Sequence, residues 1–294
     1  MRHLNDSTIS QLGITISDVK NAYIYSCKKD IEAIKPGNVN LISPDNDTTA
    51  DDYIRSCILS SEKLFILDLS LGERVLESII ITRDTINTNT NLGIVLLCAL
   101  ISHSIIYYPS EKFCNAIKLS IDNSSASDTE SICKAINIAK PSGLSRNINQ
   151  KYDTDKSPSI GLKDLMCYAS AYDRISYEYC NYLGGIRTQI LPMLDRRLKA
   201  SNYIDISLSL AFLEILANVE DSHICRKFGH KIAKKTSNHA NDLLKILEKD
   251  SSRDNTVKEL NHLDYEYKEK GINPGTTADL LVASLMIHKI FSSD

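Results

Sequence analysis

Apolar residues recur along this chain at intervals of three and four, and no stretch alternates with a period of two long enough to make a strand. Tyr53, Ile54, Cys57 and Ile58 sit at i, i+1, i+4 and i+5, and Val75, Leu76, Ile79 and Ile80 repeat the pattern. That spacing lines one face of a helix with 3.6 residues per turn. Gly and Pro, which interrupt helices, number only 11 and 7 in 294 residues. The pattern predicts helices over roughly 15–34, 50–68, 72–86, 91–107, 111–121, 127–139, 161–182, 185–200, 203–219, 221–249, 254–270 and 276–291. Polar loops separate them at Pro36 to Thr49, Asn87 to Thr90 and Pro141 to Ser159, and neither a repeat nor a dividing linker is visible. The expected fold is all-α: a single compact multi-helix domain of about a dozen helices spanning residues 1–294.

Charge narrows the partners. A formal net charge of −3 gives no broad positive field to hold a phosphate backbone. Trp is absent and the 14 Tyr are scattered, so no base-stacking platform is evident and no nucleic-acid partner is expected. The most apolar segment, Leu92 to Ile101, is too short to cross a bilayer, and Met1 to Asp6 lacks the apolar run of a signal peptide. The eight cysteines (27, 57, 98, 114, 133, 167, 180 and 225) form no C-x-x-C pair, and most fall in helical patterns. They read as reduced, buried thiols of a cytoplasmic protein with no membrane partner.

Several segments carry potential chemistry. Gly271-Ile272-Asn273-Pro274-Gly275-Thr276-Thr277 is a turn leading into an apolar helix, and Thr276 or Thr277 can cap that helix. Its unpaired N–H groups and dipole suit an anion such as phosphate, although a well-capped turn explains the same residues. Glu32-Ala33-Ile34-Lys35-Pro36-Gly37-Asn38 ends a helix at Pro36 and is followed by Asp45, Asp47, Asp51 and Asp52. Lysine beside a glycine turn suits phosphate and carboxylates suit Mg²⁺; the plainer reading is a helix exit, with the acids capping the next helix through Thr48 or Thr49. Asn87-Thr88-Asn89-Thr90-Asn91 offers more amides than one helix cap needs, at the mouth of the most apolar helix. Asp221 is a candidate N-cap, and Arg226, Lys227 and His230 lie close enough in sequence to share a face that would hold a triphosphate or simply be solvated. Pairing His223 with His230 as zinc ligands is weak, because they lie two turns apart with no Cys or Glu in register to complete a set. Asp173 and Asp264 fall on apolar patterns, where a salt bridge explains either as well as catalysis does. There is no G-x-G-x-x-G, no P-loop and no G-x-S-x-G elbow.

Taken in order, five segments resemble the triphosphoribosyl-dephospho-coenzyme A synthase family. They are Glu32…Lys35-Pro36-Gly37, Asn89-Thr90…Gly93, Pro141-Ser142-Gly143-Leu144, Asp221…Arg226 and Asn273-Pro274-Gly275…Ala278-Asp279-Leu280. The resemblance implies an all-helical, ATP-using enzyme that moves the triphosphoribosyl group of ATP to the 2′-hydroxyl of 3′-dephospho-coenzyme A and releases adenine. It implies Mg²⁺, small-molecule substrates, and leaves a homodimer open. Breaking an N-glycosidic bond builds positive charge on the ribose, so carboxylates near the reacting carbon help. Asp47, Asp221 and Asp279 are the acid–base candidates, with Asp47 and Asp221 also the metal candidates. The nucleotide-binding candidates are Glu32, Lys35, Gly37, Asn38, Asn89, Asn91, Arg226, Lys227, Asn273, Gly275, Thr276 and Thr277. The chain also departs from the citrate lyase branch. Asp45 stands where a His is expected, and Asn91-Leu92 stand where His and Lys or Arg are expected before Gly93. The resemblance is therefore to a divergent branch, of the archaeal and methylotroph kind. An acceptor other than dephospho-coenzyme A, as in pterin cofactor assembly, and a non-catalytic nucleotide-binding protein remain as alternatives.

Overall fold

The computed structural model describes residues 7–43, 49–86, 91–141, 160–250 and 252–292. A 3₁₀ turn at Ser10–Leu12 leads into α1 (Ile16–Glu32), α2 (Ala50–Leu64), α3 (Leu71–Ile86), α4 (Leu92–Tyr107), α5 (Phe113–Asp122) and α6 (Ala126–Ala139). There follow α7 (Leu162–Ala169), α8 (Arg174–Cys180), a π-helical turn at Ile186–Ile190, α9 (Leu191–Ala200), α10 (Ile204–Asn218), α11 (Ser222–Phe228), α12 (His230–Lys249), α13 (Arg253–Glu269) and α14 (Gly275–Phe291). No strand occurs among the described residues, so the all-α expectation holds.

Local sequence sets the helix starts. Thr15 with Asp18, Thr49 with Asp52 and Ser125 with Asp128 each form a reciprocal capping box that satisfies two otherwise orphaned N–H groups. Asp52 is thus occupied as a cap. Helices α4, α10 and α14 are apolar nearly all round, and most of their residues are buried. Such helices belong inside a bundle rather than on its surface. Accordingly α14 packs against α1, α4, α9 and α10, while α2, α3 and α6 form a layer on one side and α12 covers α10 on the other. One apolar core runs through all of them, from Ile9 to Phe291.

Two long predicted helices are in fact pairs. The stretch 161–182 breaks at Ser170–Asp173, because Asp173 leaves helical geometry and accepts a hydrogen bond from Ser176 N at 2.8 Å to start α8. A disulfide between Cys167 and Cys180 fastens α7 to α8. The expectation of eight reduced thiols is corrected there: spacing in sequence does not reveal that a helix break folds two cysteines together. The stretch 221–249 breaks at Gly229, whose φ of +82° is a left-handed conformation that glycine adopts without cost. The π-helical turn precedes Pro192, which cannot donate to the preceding turn and widens the helix there.

Candidate active site

The chain leaving α1 folds onto the chain entering α14. Gly37 has φ of +81°, and a Cβ there would lie 2.3 Å from the carbonyl oxygen of Ile272. Only glycine permits both the turn and that approach. Gly37 N donates to Asp264 Oδ1 at 2.8 Å, Asn38 Nδ2 donates to Asn273 Oδ1 at 2.8 Å, and Lys268 holds the other oxygen of Asp264 at 3.0 Å. The Lys-Pro-Gly-Asn loop and the Asn-Pro-Gly bend therefore meet. Lys35 is fully buried, ion-paired to Asp30 and donating to Asn38 Oδ1 at 2.9 Å. Asp30 was not a candidate from sequence, yet it is the acid that turns inward. Burial pushes its carboxyl up, against the opposing pull of Lys35, and its Oδ1 is buried without a hydrogen-bond partner among the described residues. Glu32, the acid that was picked, instead lies on the exposed side of α1 in a pair with Lys29.

Asp221 occupies the start of α14. It caps α11 by accepting from Ile224 N at 3.0 Å, while its other oxygen accepts from both the backbone N and the hydroxyl of Thr277 at 2.8 Å. The anion at this helix N-terminus is a side chain of the protein, where a phosphate had been expected. Thr276 turns its hydroxyl to Ser222 and to His223 N, and Gly275 leaves room for the His223 ring, which would lie 2.7 Å from a Cβ. Asp221 is 1% exposed and spends both oxygens on caps. Asp221, Thr276 and Thr277, expected as metal, acid–base and phosphate residues, thus lie together at a joint between α11 and α14.

Asp279, one turn further along α14, is the opposite case. It is partly exposed, and its carboxylate makes no hydrogen bond or ion pair among the described residues. Its oxygen rests on Gly93 in the first turn of α4, so closely that a Cβ there would lie 2.0 Å away. Burial of the carboxyl raises its pKa well above the ordinary aspartate value; the nearby charges of Asp221 and Asp30 add to the rise and Arg226 opposes it. Arg226 reaches in from α11 and donates to Asp173 Oδ2 at 2.5 Å, with its Nε buried and without a partner among the described residues. Asp173 and Asp264 are each in a salt bridge, one of the two readings open for them, with Arg226 and Lys268. Lys227, by contrast, lies on the surface and bonds to the carbonyl of Gly271 at 3.3 Å.

Beside Asp30, a narrow pocket is lined by Tyr23, Cys27, Tyr53, Cys57 and Asn91. Asn91 does not cap α4 with its side chain; it turns toward α2, 3.4 Å from the carbonyl of Ser56. Asp47 and Asn89 lie outside the described residues.

The profile of the ATP:dephospho-CoA triphosphoribosyl transferase family matches residues 16–294. The chain belongs to that family. This transferase is also similar in structure to a protein from Archaeoglobus fulgidus provisionally described as a triphosphoribosyl-dephospho-coA synthase. The TM-score is 0.61 at 20% identity, over 81% of this chain and 98% of that one, a likeness of fold. No curated protein matches the sequence. Within the transferase, the described parts of four of the segments that carried the resemblance meet at one cleft, where the end of α1 and the first turns of α4, α11 and α14 come together; residues 142–144 of the fifth lie outside the described residues. Asp30 could have been found by its register: it follows Val19, Tyr23, Ser26 and Cys27 on the buried stripe of α1, where a charged side chain is expensive. Asp173 showed the same signal. That Arg226 would be its partner, 53 residues away, had no local trace.

Proposed function

We propose that this cleft transfers the triphosphoribosyl group of ATP to the 2′-hydroxyl of 3′-dephospho-coenzyme A, releasing adenine. The observation that supports it best is Asp279, a carboxyl with no hydrogen-bond or ion-pair partner among the described residues, whose proton is held to higher pH than usual, seated on Gly93. A group of that kind can give a proton to the departing base. In the reaction, the acceptor oxygen attacks C1′ of the ribose as the C1′–N9 bond breaks. Adenine leaves with the electron pair of that bond and takes a proton from Asp279, while the acceptor's proton passes to a carboxylate. Asp30, with its unpartnered Oδ1, is the carboxylate suited to that second task or to holding a cation. Lys35, buried against Asp30, is a positioning residue, and Arg226, with an unpaired Nε, is the cation suited to the triphosphate.

Mg²⁺ takes oxygen ligands, and the Oδ1 of Asp30, with no hydrogen bond among the described residues, fits that preference better than Asp221, both of whose oxygens already accept hydrogen bonds. When bound, Mg²⁺ would supply positive charge against the triphosphate, which stays intact. A cytoplasmic setting and assembly as a homodimer belong to the same reading. No helix among the described residues is long and apolar enough to cross a membrane.

The test is incubation of pure protein with ATP, Mg²⁺ and 3′-dephospho-coenzyme A, with chromatography for free adenine and for the heavier coenzyme product. Equal amounts of both support the reading. Asn91 and Leu92 are buried where the citrate lyase branch carries basic residues, which favours a second reading in which the acceptor differs. Adenine appearing only with another hydroxyl acceptor, such as a pterin cofactor precursor, would select that reading. ATP binding without adenine under any acceptor would remove the reaction class and leave a nucleotide-binding protein.

A further inference from the structure

At the joint between α11 and α12, three side chains that the transfer reaction does not use form a tight triangle. Cys225 Sγ lies 3.2 Å from Glu220 Oε1 and 3.7 Å from His230 Nδ1, and His230 Nδ1 lies 2.9 Å from the same Glu220 oxygen. Glu220 directly precedes the cap of α11, Cys225 lies within that helix, and His230 opens α12. Gly229, with its φ of +82°, turns the chain back so that His230 stands over Cys225. Glu220 and His230 are exposed and Cys225 is half-buried, so the triangle opens to solvent on its outer side.

The chemistry of the set is specific. A thiolate, an imidazole and a carboxylate are the donors of tetrahedral zinc sites, with Zn–S near 2.3 Å and Zn–N and Zn–O near 2.0–2.2 Å. Those bond lengths place the donors of a tetrahedral ion about 3.3–3.6 Å apart. The three observed separations, 2.9, 3.2 and 3.7 Å, reach that range with shifts of a few tenths of an ångström. We infer that Glu220, Cys225 and His230 bind a divalent cation of the zinc class, with solvent water as the fourth ligand. The sequence reading dismissed zinc because no Cys or Glu accompanied His223 and His230. The missing pair stands at Glu220 and Cys225, and His223 is excluded because its ring packs against Gly275.

On binding, the Cys225 S–H bond breaks, a sulfur–metal bond forms and the proton passes to solvent. His230 ligates through neutral Nδ1 with its hydrogen on Nε2, and nothing is oxidised or reduced. The cation would pin α11 to α12 and so steady Asp221 and Arg226, which α11 carries toward the cleft. Other divalent ions of similar softness would compete for the site, carboxylate-only ions such as Mg²⁺ poorly.

The test uses the full chain, stripped with a chelator and titrated with cobalt(II) chloride at near-neutral pH. Absorption is followed in the near-ultraviolet thiolate-to-cobalt band and in the visible, and zinc chloride is then added in competition. The expected result is saturation at one cobalt per chain, a thiolate band, and displacement by zinc. Cys225→Ser should remove the band, and Cys225→Ser and His230→Ala should each weaken zinc binding by at least about tenfold. His239→Ala, at a half-buried histidine elsewhere on α12, should change neither. Circular dichroism of the metal-free variants checks that these surface changes leave the fold intact. Absence of saturation at one equivalent, or a band that survives Cys225→Ser, would overturn the assignment. Neither outcome bears on adenine release, so this inference and the proposed reaction fail independently.

Discussion

Replacing Gly93 with alanine probes the candidate acid without touching it. The new methyl would lie 2.0 Å from Asp279 Oδ2 and 2.5 Å from its Cγ, whereas ordinary contacts begin near 3.4 Å. The carboxylate must therefore retreat by about 1.4 Å, and it can, because no hydrogen bond from the described residues holds it. Displacing a reacting group by about 1 Å costs on the order of 100-fold in rate, equivalent to about 2.7 kcal/mol of transition-state stabilisation. Stability should change much less. Alanine in a helix gains up to about 1 kcal/mol over glycine, which offsets much of the roughly 1–3 kcal/mol that overpacking costs. The expected result is adenine release slowed about 100-fold with Tm within a few degrees of the parent. Gly161→Ala, where a methyl meets nothing within 4 Å, serves as control and should turn over normally. If Gly93→Ala released adenine within about threefold of the parent rate, Asp279 would not be the proton donor and the reasoning from its placement would be wrong.

Three further outcomes follow from particular contacts. Asp279→Asn should lower turnover by about 100-fold or more by removing the acid, and should change how stability depends on pH. The folded protein holds the Asp279 proton to higher pH than the unfolded chain does, so the parent loses stability as pH rises from the ordinary aspartate value of 3.8 through the raised one. The asparagine variant lacks that loss, and urea unfolding across pH should show its advantage growing over that window. Asp221→Ala strips the caps from α11 and α14; at about 1 kcal/mol for each cap, plus the cost of buried donors left unpaired, it should lose about 3 kcal/mol. Calorimetry should then show Tm lower by about 6–12 °C, and an unchanged Tm would contradict the joint described for it. Cys180→Ser opens a link between residues 13 apart, which chain entropy values at about 3 kcal/mol. Reductant should lower the Tm of the parent and leave that of the variant alone.

How far the sequence reached depended on whether the physics was local. Helix periodicity, capping pairs such as Thr49 with Asp52, and the apolar cores of α4 and α14 act over a few residues, so the all-helical fold was legible. The Lys35–Asn38 and Asn273–Gly275 turns were also legible, because glycine and proline mark backbone geometry directly. What those turns hold was not. Whether a carboxylate is spent, as in Asp221, or left free, as in Asp279, depends on donors brought from 56 residues away or withheld. In the same way, only packing turned Asp30 inward and Glu32 outward, two residues apart on one helix. The break at Gly229 and the fold at Asp173 created the Glu220–Cys225–His230 triangle and the Cys167–Cys180 bridge. A helical period read straight through would have kept those side chains apart. Sequence determined which segments form helices and where the chain turns; tertiary structure decided which charges meet, because ion pairing and desolvation depend on distances through space that no local pattern records.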